Sequence, residues 1–421
     1  MHMKSRWVLV VLAVVIVAAL TGCVNSKTVG SSNAGFMWVA TQGDQMVSSF
    51  TINLSNGAAS QVGKSVPSGA GPHATAITPK EDALFLANVD DNCGSSQFCN
   101  QVRAYTVNSD GTLAPQGNPV AITLPSSMPL GMEMGMAVDP TGVLLFVTNQ
   151  GNLSSVIPGT ISIFKISGSS LSPANVICPA SIVCSTQPTP LCPSCSFLTE
   201  SAGAASSGPV ALAISGPYLY VANQFDGTIA GYSYSIDSGG NVVIPTAAAF
   251  YAVNTNPSGL AFSRSVAVNP TSHDNFLFVA NSGSNDISIF KACVAASLTC
   301  ATPTGLLMPV GTAVGAGIGP NSFVVDPVAD FVYAVDEKSN QISQYKYSPA
   351  TGALTTLSPA SASTGSNPIS AGVTHDGNWV FVANNGASNL SAFQIGGAGK
   401  LNLPANPSIV LSNQPSVVLV K

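Results

Sequence analysis

The chain has 421 residues, and its 13 Lys and Arg with 18 Asp and Glu make up 7% of them, against roughly 25% in ordinary soluble domains. Because 46% of the residues are hydrophobic and the net charge is −5, the composition excludes a disordered chain. The whole sequence contains three arginines, Arg6, Arg103 and Arg264, which are too few for a phosphate-neutralising surface, so nucleic acid is excluded as a partner.

Residues 1–22 are predicted to be a lipoprotein signal peptide, because Lys4 and Arg6 precede an uncharged apolar run over 7–20. This run is shorter than the roughly 20 residues that a helix needs to cross a bilayer core. Its end, Leu-Thr-Gly-Cys at 20–23, resembles a bacterial lipobox, which implies cleavage before Cys23 and lipidation of that cysteine. We expect an exported protein held in the bacterial envelope by its lipid, with the outer membrane or cell surface favoured, followed by a linker over 23–35.

Eight further cysteines suit an oxidising compartment, in which an even number indicates disulfides. Two pairs are local in sequence, Cys93 with Cys99 and Cys293 with Cys300. The other four allow three connectivities or, less in keeping with export, a zinc site; they are Cys178, Cys184, Cys192 and Cys195.

An apolar strand that ends in a small polar residue recurs seven times, and a second strand with one fixed aromatic follows each copy. The first strands are FMWVAT at 36–41, LFLAN at 84–88, LFVTN at 145–149, LYVAN at 219–223, LFVAN at 277–281, VYAVD at 332–336 and VFVAN at 380–384. The aromatics are Phe50, Tyr105, Phe164, Tyr232, Phe290, Tyr345 and Phe393. The sequence therefore predicts seven repeats of an all-β unit.

A third apolar strand and a polar turn precede six of these copies, as in HATAITPKED, GMAVDPTG and SVAVNPTSHD. The seventh such strand lies at the end of the chain, over 414–420, where its partner can be the FMWVAT strand. A ring of sheets closed by a blade from both termini is typical of propellers. We predict a single seven-bladed β-propeller of four-stranded blades over 36–421, with inserts at 89–100, 150–159 and 172–208.

These motifs, with the Asp-Pro or Asp-Gly turn before the LYVAN-type strand, resemble the bacterial propellers of the YVTN-repeat and 6-phosphogluconolactonase-like lactonase family. The resemblance covers essentially the whole chain after the leader. It implies a hydrolase that opens a sugar-type lactone in its central channel without a cofactor. A single predicted channel arginine makes a phosphorylated substrate the weaker expectation.

Candidate site residues are those predicted to enter the innermost strands, where a propeller channel opens. We expect His73 or Glu133 to be the base and Arg264 to be the donor to the oxyanion. The alternatives are that His73 bonds neighbouring backbone and that Glu133 pairs structurally with Arg264. Ligand-binding candidates are Asn321, Asn367, Gln414 and Asp90. The run Asp90-Asp91-Asn92 lacks the spacing of a calcium loop, so no metal site is predicted.

Two functions fit this sequence. One is the lactonase-like hydrolysis of a small lactone. The other is a non-catalytic, surface-anchored propeller whose Ser-, Asn- and Gly-rich loops bind a polymer or a protein, as the low charge would favour.

Overall fold

The computed structural model describes residues 34–90, 99–122, 135–151, 159–179, 196–198, 208–244, 249–264, 274–296, 300–405 and 407–421. Within these ranges the chain is almost entirely strand, and helix is confined to two 3-10 turns, Glu337–Ser339 and Asn385–Ala387. The predicted all-β class is confirmed. No helix in the described part of the chain is long and apolar enough to span a membrane.

The strands form seven blades, named here in chain order, and their pairing is antiparallel except for one parallel pair at the outer edge of blade 3. Blade 1 contains β1 (Ala34–Thr41), β2 (Met46–Asn53) and β3 (Ala59–Pro67), and blade 2 contains β4 (Pro72–Ile77), β5 (Ala83–Asp90), β6 (Cys99–Val107) and β7 (Leu113–Ala121). Blade 3 contains β8 (Met136–Val138), β9 (Leu144–Asn149), β10 (Thr160–Ser167), β11 (Ser170–Pro179) and β12 (Ser196–Leu198). Blade 4 contains β13 (Pro209–Ser215), β14 (Tyr218–Asn223), β15 (Thr228–Ser233) and β18 (Ala249–Ala252), with an inserted hairpin of β16 (Ser235–Ile236) and β17 (Val242–Val243).

The remaining blades follow the same order. Blade 5 contains β19 (Pro257–Phe262), β20 (Asn275–Asn281), β21 (Asp286–Ala292), β22 (Leu307–Pro309) and β23 (Val314–Gly315), and blade 6 contains β24 (Pro320–Val325), β25 (Phe331–Asp336), β26 (Gln341–Tyr347) and β27 (Leu354–Ser363). Blade 7 contains β28 (Pro368–Val373), β29 (Trp379–Asn384), β30 (Asn389–Ile395), β31 (Leu401–Asn402) and β32 (Ser408–Val410). The last strand, β33 (Pro415–Val420), pairs with β1 and completes blade 1.

The innermost strands surround the central channel and contact one another in the ring order β33, β4, β8, β13, β19, β24, β28 and back to β33. The predicted closure of the ring by the carboxyl-terminal strand is therefore confirmed. Small residues on these strands let neighbouring blades approach closely. At Gly259, for example, an added Cβ would lie 2.7 Å from the backbone oxygen of Asn321 in the next blade.

Each blade carries a buried aromatic on its third strand, at the position that the sequence pattern predicts. These residues are at most 6% exposed; they are Phe50, Tyr105, Phe164, Tyr232, Phe290, Tyr345 and Phe393. They fill the layers between neighbouring blades, where apolar area is removed from water. The repeated aromatic is therefore a packing feature of the fold.

The innermost strand of blade 5 differs from the sequence prediction. The partner of β20 is Pro257–Phe262, not the SVAVNP segment over 265–270, which lies outside the described residues. The physical reason is that PSGLAF carries the proline and small residues that the other innermost strands share, so it fits the narrow ring. Arg264 therefore follows this strand instead of preceding it.

One predicted disulfide falls wholly within the described side chains. Cys293 and Cys300 are bridged, with their Cα atoms 5.6 Å apart, and this bond staples the loop between β21 and β22. The predicted insert over 172–208 overlaps β11 up to Pro179. The side chains of the other predicted disulfide cysteines lie outside the described part, as do Cys23 and Glu133.

Candidate functional site at the channel mouth

The face on which the innermost strands begin and the second strands end is called the mouth face here. Six innermost strands begin with the same Xaa-Pro turn, and the carbonyl of Xaa accepts a hydrogen bond of 2.8–3.0 Å from a backbone N–H near the end of the second strand of the same blade or just beyond it. These turns are Gly71-Pro72, Gly208-Pro209, Asn256-Pro257, Gly319-Pro320, Asn367-Pro368 and Gln414-Pro415. The turns fix the rim of the channel.

A positive φ is required at most of these turns. Gly71, Gly208 and Gly319 have φ of 53°, 63° and 69°, and Asn256 and Asn367 have φ of 52° and 50°. Glycine and asparagine are the residues that adopt this conformation most readily. Asn367, predicted to bind ligand, therefore has a clear backbone role, and the carbonyl of Gln414 has the corresponding one.

The residue after each proline lies in a β-bulge, where the pairing with the second strand shifts by one position. A bulge turns a side chain away from the direction that regular strand pairing would give it. The residues at this position are His73, Val210, Ser258, Asn321, Ile369 and Ser416. His73 and Asn321 thus occupy equivalent places in blades 2 and 6, on opposite sides of the ring.

His73 is half-buried at the start of β4, and burial lowers the pKa of its imidazole below 6.5. Desolvation disfavours the charged form, so the ring is neutral at neutral pH and retains a lone pair. None of the side-chain hydrogen bonds resolved between described residues includes His73. This histidine has the protonation state that a general base requires.

Asn321 faces a carboxylate that the sequence analysis did not single out. Its Nδ2 donates to Oε2 of Glu337 over 3.2 Å, and its Oδ1 is buried without a hydrogen-bond partner. Glu337 directly follows β25, where the N–H of its backbone bonds Gly319. The signal for Glu337 in the sequence is its position one residue beyond the VYAVD strand.

Arg264 lies at the other end of the channel wall, two residues beyond the end of β19. Its Nε and a terminal guanidinium nitrogen both contact Oδ1 of Asp330 at 2.9 Å. Since an innermost strand of six residues is about 20 Å long, Arg264 and His73 are separated by roughly that distance along the channel axis. Among the described residues the partner of Arg264 is Asp330, whereas Glu133, the alternative partner considered above, lies outside them.

The arginine that lies near the His73 turn is Arg103. An added Cβ on Gly69 would fall 2.8 Å from Nε of Arg103 and 3.2 Å from Nδ2 of Asn88, so both side chains lie under the turn that leads to His73. In register with Arg103, five other blades carry serine: Ser48, Ser162, Ser288, Ser343 and Ser391. An alignment of the seven repeats with one another shows this replacement of serine by arginine from the sequence alone.

The other predicted site residues are placed only in part. Glu133 lies outside the described residues, and Asp90 ends β5 on the mouth face, with its side chain outside the described part. No group of three or more His, Cys, Asp or Glu side chains capable of holding a metal ion occurs among the described residues. The site that the structure defines is therefore a channel mouth with a neutral histidine on one side and an amide and a carboxylate on the other.

The fold and this mouth define the chain as a seven-bladed β-propeller that resembles the lactonase propellers. Residues 294–415, fewer than a third of the chain, match the family described as "Lactonase, 7-bladed beta-propeller". The resemblance predicted from the repeat motifs is thereby confirmed. No curated protein matches the sequence.

Solved structures share the architecture at low sequence identity. The periplasmic gluconolactonase of Pseudomonas aeruginosa is 17% identical with a TM-score of 0.69, and the match covers 92% of this chain and 99% of that one. A Bacteroides fragilis protein, provisionally described as a 6-phosphogluconolactonase, is 15% identical with a TM-score of 0.67 and coverage of 93% and 99%. A Lactobacillus plantarum protein is 17% identical with a TM-score of 0.66. At this identity the likeness concerns the fold.

Proposed function

We propose that the protein is a lactonase-like hydrolase that opens a sugar-type lactone at the channel mouth. The observation that carries the proposal is the half-buried His73, whose lowered pKa keeps the imidazole neutral at the start of a channel-lining strand. The family match over 294–415 and the gluconolactonase among the structural neighbours support the same reaction class. Arg264 has no part in the proposal.

In this reaction His73 takes a proton from water, and the resulting hydroxide attacks the lactone carbonyl. Collapse of the tetrahedral intermediate breaks the ring C–O bond, and the imidazolium returns its proton to the departing alkoxide, so one water is added to give a hydroxy acid. Asn321 and Glu337, across the ring, have the amide and carboxylate groups that bond sugar hydroxyls. These residues would orient the substrate.

The test compares hydrolysis of unphosphorylated and phosphorylated aldonolactones by residues 25–421, a range that contains every strand of the closed ring. We expect turnover of an unphosphorylated lactone, and a loss of about 10²- to 10⁴-fold in kcat/KM for His73→Gln, the usual effect of removing a general base. His375→Gln is the matched control, because His375 is exposed in the turn between β28 and β29 at the opposite face. Hydrolysis at the buffer rate, or full activity of His73→Gln, would refute the proposal.

We further propose that the protein works in the bacterial envelope, anchored by lipid on Cys23. The supporting observations are the charged, apolar and Leu-Thr-Gly-Cys segments of residues 1–23. Expressed in a bacterial host, the wild-type chain should sediment with membranes, whereas Cys23→Ser should lack the lipid mass on its amino-terminal peptide. Equal mass and equal fractionation of the two proteins would contradict the anchor.

A further inference from the structure

A groove on the mouth face runs outward from the channel rim between blades 4 and 5. Its inner part, of about 680 Å³, is lined by the turn at 224–228, the connection at 252–256 and Ser284. Its outer part, of about 560 Å³, shares Ala252–Asn254 and continues along blade 5 as far as Ala313. Each part has the volume of a ligand pocket. The two parts adjoin at the residues that they share, an arrangement that suits a chain-like ligand better than a single small molecule.

The connection that forms the floor of this groove is held from both sides. Backbone and side-chain bonds tie it to the turns of blades 4 and 5: Val253 N–H to the Gly227 carbonyl (2.9 Å), Ser282 N–H to Asn256 (2.9 Å), Gly283 N–H to Thr255 (3.1 Å) and Asn254 Nδ2 to Asp286 Oδ2 (2.7 Å). A floor held in this way loses little freedom when a ligand binds. The groove is therefore preorganised.

Phe225 forms one wall of the inner part. An added Cβ on Gly208 would fall 2.4 Å from a carbon of its ring, so the ring lies against the Gly208 backbone and has one edge fixed. The neighbouring Gln224 accepts a hydrogen bond from Nε2 of Gln150. An aromatic ring and an amide are thus positioned side by side before any ligand arrives.

The polar lining is rich in groups that both donate and accept hydrogen bonds. Amides and hydroxyls come from Gln224, Asn254, Asn256, Thr255 and Ser284. The Oγ of Ser284 is buried and has no hydrogen-bond partner, which leaves a polar group to be satisfied. Among the described lining residues the charged side chains are two carboxylates, Asp226 and Asp286. An anionic ligand would meet like charge here.

We propose that this groove binds a neutral oligosaccharide. A sugar ring offers an apolar C–H face to Phe225 and hydroxyls that pair with the amides, the hydroxyls and Asp226. Several linked sugar units would extend from the rim at Asn256 into the outer part. Binding of an oligosaccharide in this groove does not depend on hydrolysis at His73. A neutral polysaccharide is also a kind of surface polymer that a lipid-anchored propeller would bind.

The test is titration calorimetry of residues 25–421 with maltohexaose, cellohexaose, xylohexaose and chitohexaose, and with oligogalacturonate as an anionic probe. We expect one neutral hexasaccharide to bind and the anionic probe to fail. Phe225→Ala should weaken binding at least about tenfold, the effect of losing one aromatic contact. Asp226→Ala should also weaken it. Phe250→Ala and Asp237→Ala are matched controls, because both residues are exposed on blade 4 outside the groove lining.

Failure of all four neutral sugars to bind, tighter binding of oligogalacturonate or of polylysine, or unchanged binding in both groove variants would overturn the proposal. His73→Gln separates it from the hydrolase proposal. This variant should lose lactone hydrolysis and retain the sugar affinity, whereas Phe225→Ala should do the reverse. Circular dichroism of each variant confirms that a loss of binding is not a loss of fold.

Discussion

The residue that ends the repeated LYVAN-type motif is asparagine in five blades and threonine in blade 1, but it is Asp336 in blade 6. Asp336 is fully buried. Ser343 donates its hydroxyl to Oδ2 of Asp336 over 2.6 Å, whereas Oδ1 has no hydrogen-bond partner. Burial, which outweighs these hydrogen bonds, raises the pKa of this carboxyl from 3.8 to about 6. A carboxylate has thus replaced a neutral amide at a repeated, desolvated position.

This replacement predicts a stability that depends on pH. Because the folded state has the higher pKa, the contribution of Asp336 is fully present below about pH 4 and is lost as the pH rises through about 6. The difference between a pKa of 3.8 and one of about 6 corresponds to about 3 kcal/mol. Urea unfolding of Asp336→Asn should therefore show a gain of up to that size at pH 8 and little change at pH 4.

Asp110→Asn provides the contrasting control. Asp110 is exposed, and hydrogen bonds from Thr112 lower its pKa, so the same substitution should slightly destabilise the protein above pH 4. A gain for Asp336→Asn that is equal at both pH values would show that burial of charge is not its cause.

The sequence predicts the positions of individual site residues less well than it predicts the strands. His73 and Asn321 lie at the channel mouth, as expected from their places before or within short apolar strands. Arg264 was misplaced because two apolar segments competed for one innermost strand. Arg103 was overlooked because its strand reads as an ordinary third strand. Its register opposite Leu86, where other blades have serine, is visible only when the blades are aligned.

At the scale of elements, the outer hairpins join neighbouring blades through glycine. At five interfaces a glycine with positive φ, in the connection between the third and fourth strands of one blade, lies against an aromatic ring within the first three residues of the second strand in the preceding blade. The pairs are Gly111 with Phe36, Gly305 with Tyr218, Gly352 with Phe276, Gly399 with Phe331 and Gly57 with Trp379. A side chain at any of these glycines would occupy the space of the ring.

Gly352→Ala should therefore destabilise the protein by roughly 2–5 kcal/mol, since its φ of 74° is strained for alanine and the new Cβ would lie 2.3 Å from the ring of Phe276. Gly168→Ala is the matched substitution, because Gly168 joins β10 to β11 with φ of 60° and no atom within 4 Å. It should cost only the backbone strain, about 1–2 kcal/mol. Equal losses in chemical denaturation would contradict the role of the aromatic contact.

Elements were predicted well where the pattern was redundant. The sequence contains seven copies of one apolar strand, and a strand with an aromatic residue follows each copy. This repetition predicts the second and third strands of every blade, and all of them form. The innermost strand is short and only half-buried, so its hydrophobic pattern is weak. The Xaa-Pro pair before it, in which Xaa is usually glycine or asparagine, is the stronger signal. This pair is visible in the sequence at Asn256-Pro257, and it marks the start of the innermost strand Pro257–Phe262.

At the scale of the whole molecule, the ring depends on eight residues at the carboxyl end. β33 pairs with β1 and lies between β28 and β4 in the ring of innermost strands, and Val418 and Val420 belong to the core between blades 7 and 1. Without this strand, blade 1 would present an unpaired inner edge to the channel. Such an edge invites association with another chain.

Deletion of residues 414–421 should consequently lower the midpoint of thermal unfolding by more than any single substitution discussed above, and should produce oligomers in size-exclusion chromatography. A synthetic peptide of residues 414–421, added in excess, should restore part of the lost stability because it binds the folded state. An unchanged midpoint with a monomeric elution would show that six complete blades suffice.

The pairing of the first strand with the last also determines when folding can finish. During synthesis the amino-terminal strands emerge first, yet blade 1 lacks its innermost strand until Val420 has left the ribosome. The blades in between can form one after another, but the ring stays open until β33 has been synthesised. An amino-terminal fragment that ends before residue 414 therefore cannot close the ring, however many of its blades have formed.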